Sequence, residues 1–309
     1  MTMNMIETIG LSKQFKTVKA VNDINIKVPQ GAICGFLGKN GAGKTTAIKM
    51  LVGLTKPTSG SIMLSGSEVK FGERENSNIG YVPDVPNFYG YMTANEYLKF
   101  CGNLYGIKGD KLSSLISELL KKVGLSGKNK TKISGYSRGM KQRLGIAQAL
   151  INQPEMIFMD EPISALDPTG RYEVMEIIRS LKGTVTIFFS THILADVENT
   201  CDHIIILDKG RVLEENGIAE LKQKYSSNTA KVKFFSDDDN EKFVSGLKNI
   251  SGLCIQKQSF SDVLVKAEDR TEQELGEVIF GVLGGNKLVP QSYCTYTPSL
   301  EEIFLGVTK

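Results

Sequence analysis

Residues 33–51 read ICGFLGKNGAGKTTAIKML and join an apolar run, a glycine-rich loop and a segment with apolar residues at helical spacing. The apolar run is typical of a short buried strand. Within the stretch, GKNGAGKT (38–45) matches the pattern G-x-x-x-x-G-K-[ST] at every fixed position. Glycines let a backbone wrap closely around an anion, so that its N–H groups point at phosphate oxygens. A strand before the loop and a helix after it argue against a chance glycine-rich turn and predict an α/β domain that binds a nucleoside triphosphate.

The last residues of this loop have separate roles in the predicted chemistry. Lys44 brings a positive charge to the β- and γ-phosphates, and Thr45 offers a hydroxyl ligand to Mg²⁺. The helix that follows adds the positive end of its dipole. The predicted nucleotide-binding residues of the loop are Gly38, Lys39, Asn40, Gly41, Ala42, Gly43, Lys44, Thr45 and Thr46.

Two further apolar runs end in polar residues that suit catalysis. EMIFMDEP (155–162) carries acids at its carboxyl end, and TVTIFFSTH (184–192) ends in a histidine. Since parallel strands place these ends at one edge of a sheet, we expect them to meet the phosphate loop. There Asp160 would hold Mg²⁺, Glu161 would polarise the attacking water and His192 would contact the γ-phosphate. The alternatives are a solvated acidic turn and a structural histidine.

The sequence predicts two domains. Residues 1–223 form an α/β domain, with an inserted helical subdomain at about 88–150 in which TANEYLKFCGNLYG (93–106) presents one apolar face. That face comprises Tyr97, Leu98, Cys101, Leu104 and Tyr105. Residues 224–309 follow the order β-α-β-β-α-β of the ferredoxin-like arrangement, with a last strand at 288–293 and a final helix capped by Ser299. This second part shows no catalytic constellation, and we expect it to serve packing, dimer contact or binding of a partner.

Composition excludes several classes of protein. The 309 residues carry a net charge of +3, which is too small for a bulk nucleic-acid binder. The five cysteines are widely spaced, which favours reduced thiols over a zinc site or a disulfide scaffold. No apolar run approaches the roughly 18 residues of a membrane span. We therefore expect a chain that reaches a membrane only through another protein.

A second candidate anion site lies a hundred residues beyond the first. GYSRGMKQRL (135–144) reads as a tight turn that opens a helix, and such a start offers free backbone N–H groups to an anion. The chain already has one phosphate loop, so this second site needs an explanation of its own.

Four segments, in this order, resemble the nucleotide-binding subunit of ATP-binding cassette (ABC) transporters: GKNGAGKTT, YSRGMKQR, MIFMDEPISALDP and STH. The resemblance covers roughly residues 5–223 and is highly specific as a combination. It implies an ATPase that uses ATP and Mg²⁺ and works as a homodimer. In that family the second helix start closes over the ATP held by the other subunit, and opening and closing of the dimer is the power stroke.

The resemblance also implies roles for single residues. Phe15 matches the aromatic side chain that stacks on adenine, and Asp167 matches the loop that contacts the other subunit. Asp84 stands at the hinge into the helical subdomain, where it could reach water or Mg²⁺. The signature residues expected to contact the partner's ATP are Ser137, Arg138, Gly139 and Met140.

Two positions depart from the family's commonest pattern. The signature reads YSRGM and not LSGGQ, so Arg138 replaces a small residue. Asp84 stands where the family usually has Gln, and its carboxylate would repel a γ-phosphate unless a metal intervenes. Relatives that work with a separate permease chain often carry an acidic residue at the hinge and a variant signature. The chain resembles that group, which includes drug, antibiotic-resistance and sodium exporters.

We therefore expect the ATPase subunit of an exporter, peripheral at the cytoplasmic face of the cell membrane beneath an integral-membrane permease, with no nucleic-acid partner. The helical subdomain, from near Phe88 and Tyr89, would form part of the groove that takes a cytoplasmic helix of the permease. The alternative is a soluble ABC-family ATPase that acts on nucleic acid or ribosomes. Glu161 disfavours a third possibility, a nucleotide-binding regulator without turnover.

Overall fold

The structure is a computed structural model that describes residues 3–71, 78–128, 130–226 and 228–308. The chain divides into two compact units, one running to Ile218 and the other covering Ala219–Val307.

The first unit alternates strands and helices. Its strands are β1 (Asn4–Phe15), β2 (Val18–Pro29), β3 (Ile33–Leu37), β4 (Ser59–Leu64), β5 (Ser67–Glu68), β6 (Ile79–Val82), β7 (Met156–Met159), β8 (Thr186–Thr191), β9 (His203–Asp208) and β10 (Arg211–Gly217). Its helices are α1 (Lys44–Leu51), α2 (Ala94–Leu104), α3 (Gly109–Lys122), α4 (Arg138–Ala149), α5 (Pro168–Ser180) and α6 (Leu194–Glu198). Helix α7 (Ile218–Tyr225) leads into the second unit.

The central sheet has the strand order β10-β9-β3-β8-β7-β6. Neighbouring strands from β9 to β6 are parallel, and β10 adds an antiparallel edge. Strands β3, β7 and β8 are buried along their whole length, which explains their unbroken apolar runs. Leu37 pairs with Thr191, and Met159 pairs with Phe189, so these strands end at one edge as predicted. The phosphate loop, the acidic pair and the histidine all leave the sheet there.

A second, antiparallel sheet with the order β2-β1-β4-β5 completes the core of this unit. Buried side chains of both sheets and of α1 form one apolar cluster, which includes Leu11, Ile48 and Phe188. The Phe188 ring lies 5.1 Å from that of Phe36 and 5.7 Å from that of Phe158. This packing fixes α1, and hence the phosphate loop, on a rigid base.

Helices α2, α3 and α4 lie between β6 and β7 in the chain, as the inserted helical subdomain requires. Thr93 and Glu96 form a reciprocal cap at the start of α2. Of the predicted apolar face of α2, Leu104 is 71% exposed and Tyr105 is 53% exposed. The buried stripe therefore ends at Cys101, because α2 ends at Leu104 and Tyr105 already occupies the C-cap.

The second unit comprises β11 (Thr229–Lys233), α8 (Asp237–Leu247), β12 (Leu253–Lys257), β13 (Asp262–Ala267), α9 (Glu272–Gly285), β14 (Ser292–Thr295) and α10 (Leu300–Val307). Its antiparallel sheet has the order β12-β13-β11-β14, the ferredoxin-like arrangement that the sequence predicted. The last strand lies later than predicted: Leu288 still donates its N–H to Leu283 at the end of α9, and Pro290 has no N–H to donate. The Ser299 hydroxyl accepts from the Glu302 N–H and caps α10.

Candidate nucleotide site

The phosphate loop connects β3 to α1, and glycine is required at both of its ends. Gly43 has φ 110°, and a Cβ on it would lie 2.3 Å from the Ala20 carbonyl oxygen. A Cβ on Gly38 would lie 2.5 Å from the carbonyl oxygen of Leu207. The Gly210 N–H donates to the carbonyl of Ala42 at 2.8 Å, which anchors the middle of the loop. The loop is thus shaped by chain segments that lie far from it in sequence.

Lys44, the first residue of α1, is almost fully buried. Its Nζ donates to the carbonyl oxygens of Gly38, at 2.6 Å, and Lys39, at 3.3 Å. The same nitrogen lies 3.2 Å from Oε1 of Glu161. The loop therefore holds the lysine charge at the centre of the site, already paired with the carboxylate proposed as the base.

Asp160 is buried directly after β7 and faces the start of α1. Its Oδ1 accepts hydrogen bonds from Thr45 Oγ1, at 3.1 Å, and from Ser190 Oγ, at 2.8 Å. The Glu161 N–H donates to the same Ser190 hydroxyl at 2.9 Å. Sequence reasoning missed Ser190, although a serine inside the apolar run TIFFST is a signal, because a polar side chain buried in a strand needs a partner.

Glu161 has a left-handed backbone, with φ 47°, which is uncommon for a residue with a long side chain. Such strain persists where the surrounding structure enforces it, and it is frequent at functional sites. Its side chain is 13% exposed, and Oε2 lies 2.9 Å from Nδ1 of His192. Lys44 and His192 therefore each contact a different oxygen of the Glu161 carboxylate.

A cavity of about 450 Å³ opens over this edge of the sheet. It is lined by Ala20, Asn40, Gly41, Gly43, Lys44, Thr45, Thr46, Asp84, Glu161, Ser164 and His192. Most of the predicted catalytic and phosphate-binding residues are thus brought together. Asp84 lies at its rim, and burial raises the pKa of its carboxyl, with Asp160 and Glu161 acting in the same direction and the Arg138 guanidinium opposing them.

The signature residues lie elsewhere. Ser137 caps α4, its hydroxyl accepting from the N–H of Met140 at 3.2 Å. Ser137 and Arg138 are exposed, and no residue of 137–140 lines the cavity within the described part of the chain. Asp167 occupies the cap position of α5 and also lies outside the cavity lining. The signature segment therefore lies outside the cavity lining, although its Arg138 contacts Asp84, a residue of that lining, at 3.4 Å.

Phe15, the last residue of β1, also lies outside the lining of the phosphate-loop cavity and is 49% exposed. Nζ of Lys13 lies 5.0 Å from its ring centroid. The ring is thus partly open to solvent and has the Lys13 cation over it.

The two sheets, the phosphate loop and the acidic strand end define a P-loop ATPase. A family model described as "ABC transporter" matches residues 21–164. The chain is 45% identical, over 98% of its length and 99% of the relative's, to the "uncharacterized ABC transporter ATP-binding protein YxlF" of Bacillus subtilis (strain 168). It is 42% identical, over 78% of each chain, to the "bacitracin transport ATP-binding protein BcrA" of Bacillus licheniformis. The chain belongs to the ATP-binding proteins of ABC transporters.

Solved structures of ABC transporter cassettes have the same fold as the first unit of this chain. One described as "Structure of ATP binding subunit of ABC transporter" is 30% identical, has a TM-score of 0.65 and matches 72% of this chain and 93% of its own. Another, the ADP conformation of the cassette MJ1267, is 25% identical with a TM-score of 0.63 and matches 71% of this chain and 95% of its own. The predicted fold class, family and ATPase activity are thus confirmed. Among the described residues, no helix has the length and apolarity needed to cross a bilayer.

Proposed function

We propose that this chain is the ATP-hydrolysing subunit of an exporter, in which two copies close over two ATP molecules. The observation that carries the dimer is that the signature begins at two exposed residues, Ser137 and Arg138, and that none of residues 137–140 lines the phosphate-loop cavity. A triphosphate in the cavity would be covered on one side only, and the signature of a second copy would cover the other side. Export is supported by relatives whose names specify bacitracin transport and, for SrtF of Streptococcus pyogenes at 37% identity, lantibiotic transport.

Within one copy, each catalytic side chain has a defined task. Lys44 turns from Glu161 to the β- and γ-phosphates, which leaves Glu161 free to take a proton from the attacking water. His192 would keep the Glu161 carboxylate oriented, through the 2.9 Å contact of its Nδ1, and would contact the γ-phosphate. Phe15 would stack on the adenine ring.

The residues present also fit Mg²⁺. Thr45 Oγ1 and Asp160 Oδ1 lie 3.1 Å apart and are the oxygen ligands this ion prefers. No group of three or more His, Cys, Asp or Glu side chains in the described residues could hold a metal alone, so phosphate oxygens and water would complete the shell. Bound there, Mg²⁺ would offset the charge that develops on the transferred phosphoryl group.

Ser137→Arg should abolish ATP-dependent dimerisation while the monomer keeps its ATP affinity. The bulky cation replaces the hydroxyl that caps α4 and would collide with the partner's nucleotide. Size-exclusion chromatography with light scattering gives the dimer fraction, and fluorescent-nucleotide titration gives the affinity. Ser114→Arg, on the exposed surface of α3, is the matched control. Full dimerisation of the Ser137→Arg chain would remove the signature from the partner's site.

The permease would dock on an apolar groove of the first unit. The groove has a volume of about 400 Å³ and lies between the central sheet and helices α2 and α4. Leu54, Phe100, Leu104 and Tyr105 line it, and all four are exposed. The Tyr89 ring lies 6.0 Å from that of Phe100. An apolar surface of this kind suits a short amphipathic helix, which we assign to a cytoplasmic loop of the permease.

The subunit would then lie at the cytoplasmic face of the membrane. Residues 224–309 would be an accessory domain for packing or partner contact.

Leu104→Asp should lower recovery of the permease from detergent-solubilised membranes by about tenfold or more, because a charge at the centre of a docking site is a hot-spot change. ATPase activity of the isolated chain should stay unchanged, since Leu104 lies outside the nucleotide cavity. Leu305→Asp changes an exposed leucine outside the groove and is the control. Co-purified proteins are identified by mass spectrometry. Recovery of ribosomal proteins or RNA in place of a multi-span membrane protein would support the nucleic-acid alternative.

A further inference from the structure

The two departures from the family's usual residues contact each other. Arg138 Nη2 lies 3.4 Å from Asp84 Oδ1, across 54 positions of sequence. Asp84 follows β6 at the hinge, and Arg138 is the first residue of α4. One departure introduces a negative charge and the other a positive charge, so the two changes compensate one another.

Each member of the pair lies where its charge needs a partner. Asp84 shares the nucleotide cavity with Glu161, and the buried carboxylate of Asp160 is nearby. Lys44 is already paired with Glu161, so Arg138 is the cation that balances Asp84. Arg138 itself stands at the positive end of the α4 dipole, where a cation is unfavourable and an anion is favoured. The first turn of α4 contains no acidic residue to offset it.

The pair is also easily separated. Both side chains are 46% exposed, and a single nitrogen–oxygen contact joins them. Exposed ion pairs of this kind contribute only about 0–1 kcal/mol. A phosphate offers a guanidinium two parallel hydrogen bonds and a greater negative charge, and it is therefore the stronger partner.

We infer that Arg138 exchanges anions during the cycle: Asp84 holds it in the open chain, and the γ-phosphate bound by the second copy holds it in the closed dimer. The inference rests on the proposed two-copy site. Asp84 is then a positioning residue that restrains the signature until a stronger anion arrives. The exchange also connects the nucleotide cavity of one copy, where Asp84 lies, to the cavity of the other.

A double-mutant cycle tests this exchange in the Glu161→Gln chain, in which dimers should persist. The quantity measured is the ATP concentration that gives half-maximal dimer, by light scattering. Asp84→Asn should lower it about two- to fivefold, the value of an exposed pair. Arg138→Gln should raise it about tenfold or more, as expected for a lost charge-assisted hydrogen bond. In the Arg138→Gln background, Asp84→Asn should have a smaller effect, and the difference between the two backgrounds measures the contribution of the pair. Any contribution of Asp84 to a metal or to folding appears in both backgrounds and cancels.

The outcomes separate the inference from the proposed function. Equal effects of Asp84→Asn in both backgrounds, or a weaker dimer in the single variant, would overturn the exchange alone. Lys121→Gln removes an exposed cation of the same subdomain, and an effect equal to that of Arg138→Gln would show a general charge effect and also overturn it. If the Glu161→Gln parent forms no dimer with ATP, the two-copy site itself is wrong.

Discussion

Glu161→Gln should bind ATP as tightly as the unaltered chain and hydrolyse it about a thousandfold more slowly, the scale on which a lost general base acts. Gln has nearly the same shape and can still accept a hydrogen bond from His192, but it cannot take a proton from water. The nucleotide-free chain loses the 3.2 Å ion pair with Lys44, which frees that lysine for the phosphates. ATP should therefore remain bound and hold the dimer closed.

Phosphate release under saturating ATP measures the rate, and equilibrium titration measures the affinity. Glu176→Gln, an exposed change on α5, removes the same charge from the same unit and should leave both unchanged. A Glu161→Gln chain with the wild-type rate would remove Glu161 from the role of base.

Lys44→Ala should weaken ATP binding about a hundredfold, because a charge-assisted hydrogen bond to phosphate contributes up to about 3 kcal/mol. The change removes the charge at the centre of the cavity and also leaves the Glu161 carboxylate without its ion-pair partner. Two loop carbonyls lose their buried donor as well, so the variant should be less stable.

Thermal unfolding separates the two effects: an added excess of ATP should raise the Tm of the unaltered chain and leave that of Lys44→Ala nearly unchanged. Lys49→Ala, an exposed lysine in the last turn of the same helix, should keep the full ATP-dependent rise. Unchanged ATP affinity in Lys44→Ala would contradict the assignment of the cavity as the nucleotide site.

The sequence predicted the parts of the site that depend on local pattern. The phosphate loop follows from glycine spacing between a strand and a helix, and the common sheet edge follows from buried runs that end in polar residues. The arrangement of α2 was harder to predict: a helical pattern continues to Tyr105, but its last two apolar side chains, Leu104 and Tyr105, are exposed. The prediction of a strand at 288–293 was wrong at its start. The strand begins at Ser292, because the Leu288 N–H still donates to the carbonyl of Leu283 at the end of α9.

Contacts between distant segments could not be predicted. Ser190 joins Asp160 to the backbone of Glu161. A serine within an apolar strand indicates that its hydroxyl needs a partner, but nothing local to either strand identifies that partner. Asp84 and Arg138 were each recognisable as departures, but their contact depends on how the hinge lies against the start of α4. Sequence pattern therefore identifies which residues have chemistry to perform, and tertiary packing decides which of them act together.

The carbonyls of Ala20 and Leu207 press against the two outer glycines of the phosphate loop, and Gly210 donates to its middle. The shape of the loop therefore depends on contacts with β2, which carries Ala20, and with the end of β9, which carries Leu207. These two segments lie more than a hundred and fifty residues apart in sequence. Grafting the eight-residue motif onto a strand and helix of another protein would transfer its sequence without the contacts that shape the loop. Engineers who wish to transplant ATP binding from this chain would have to carry these outlying segments along with the motif.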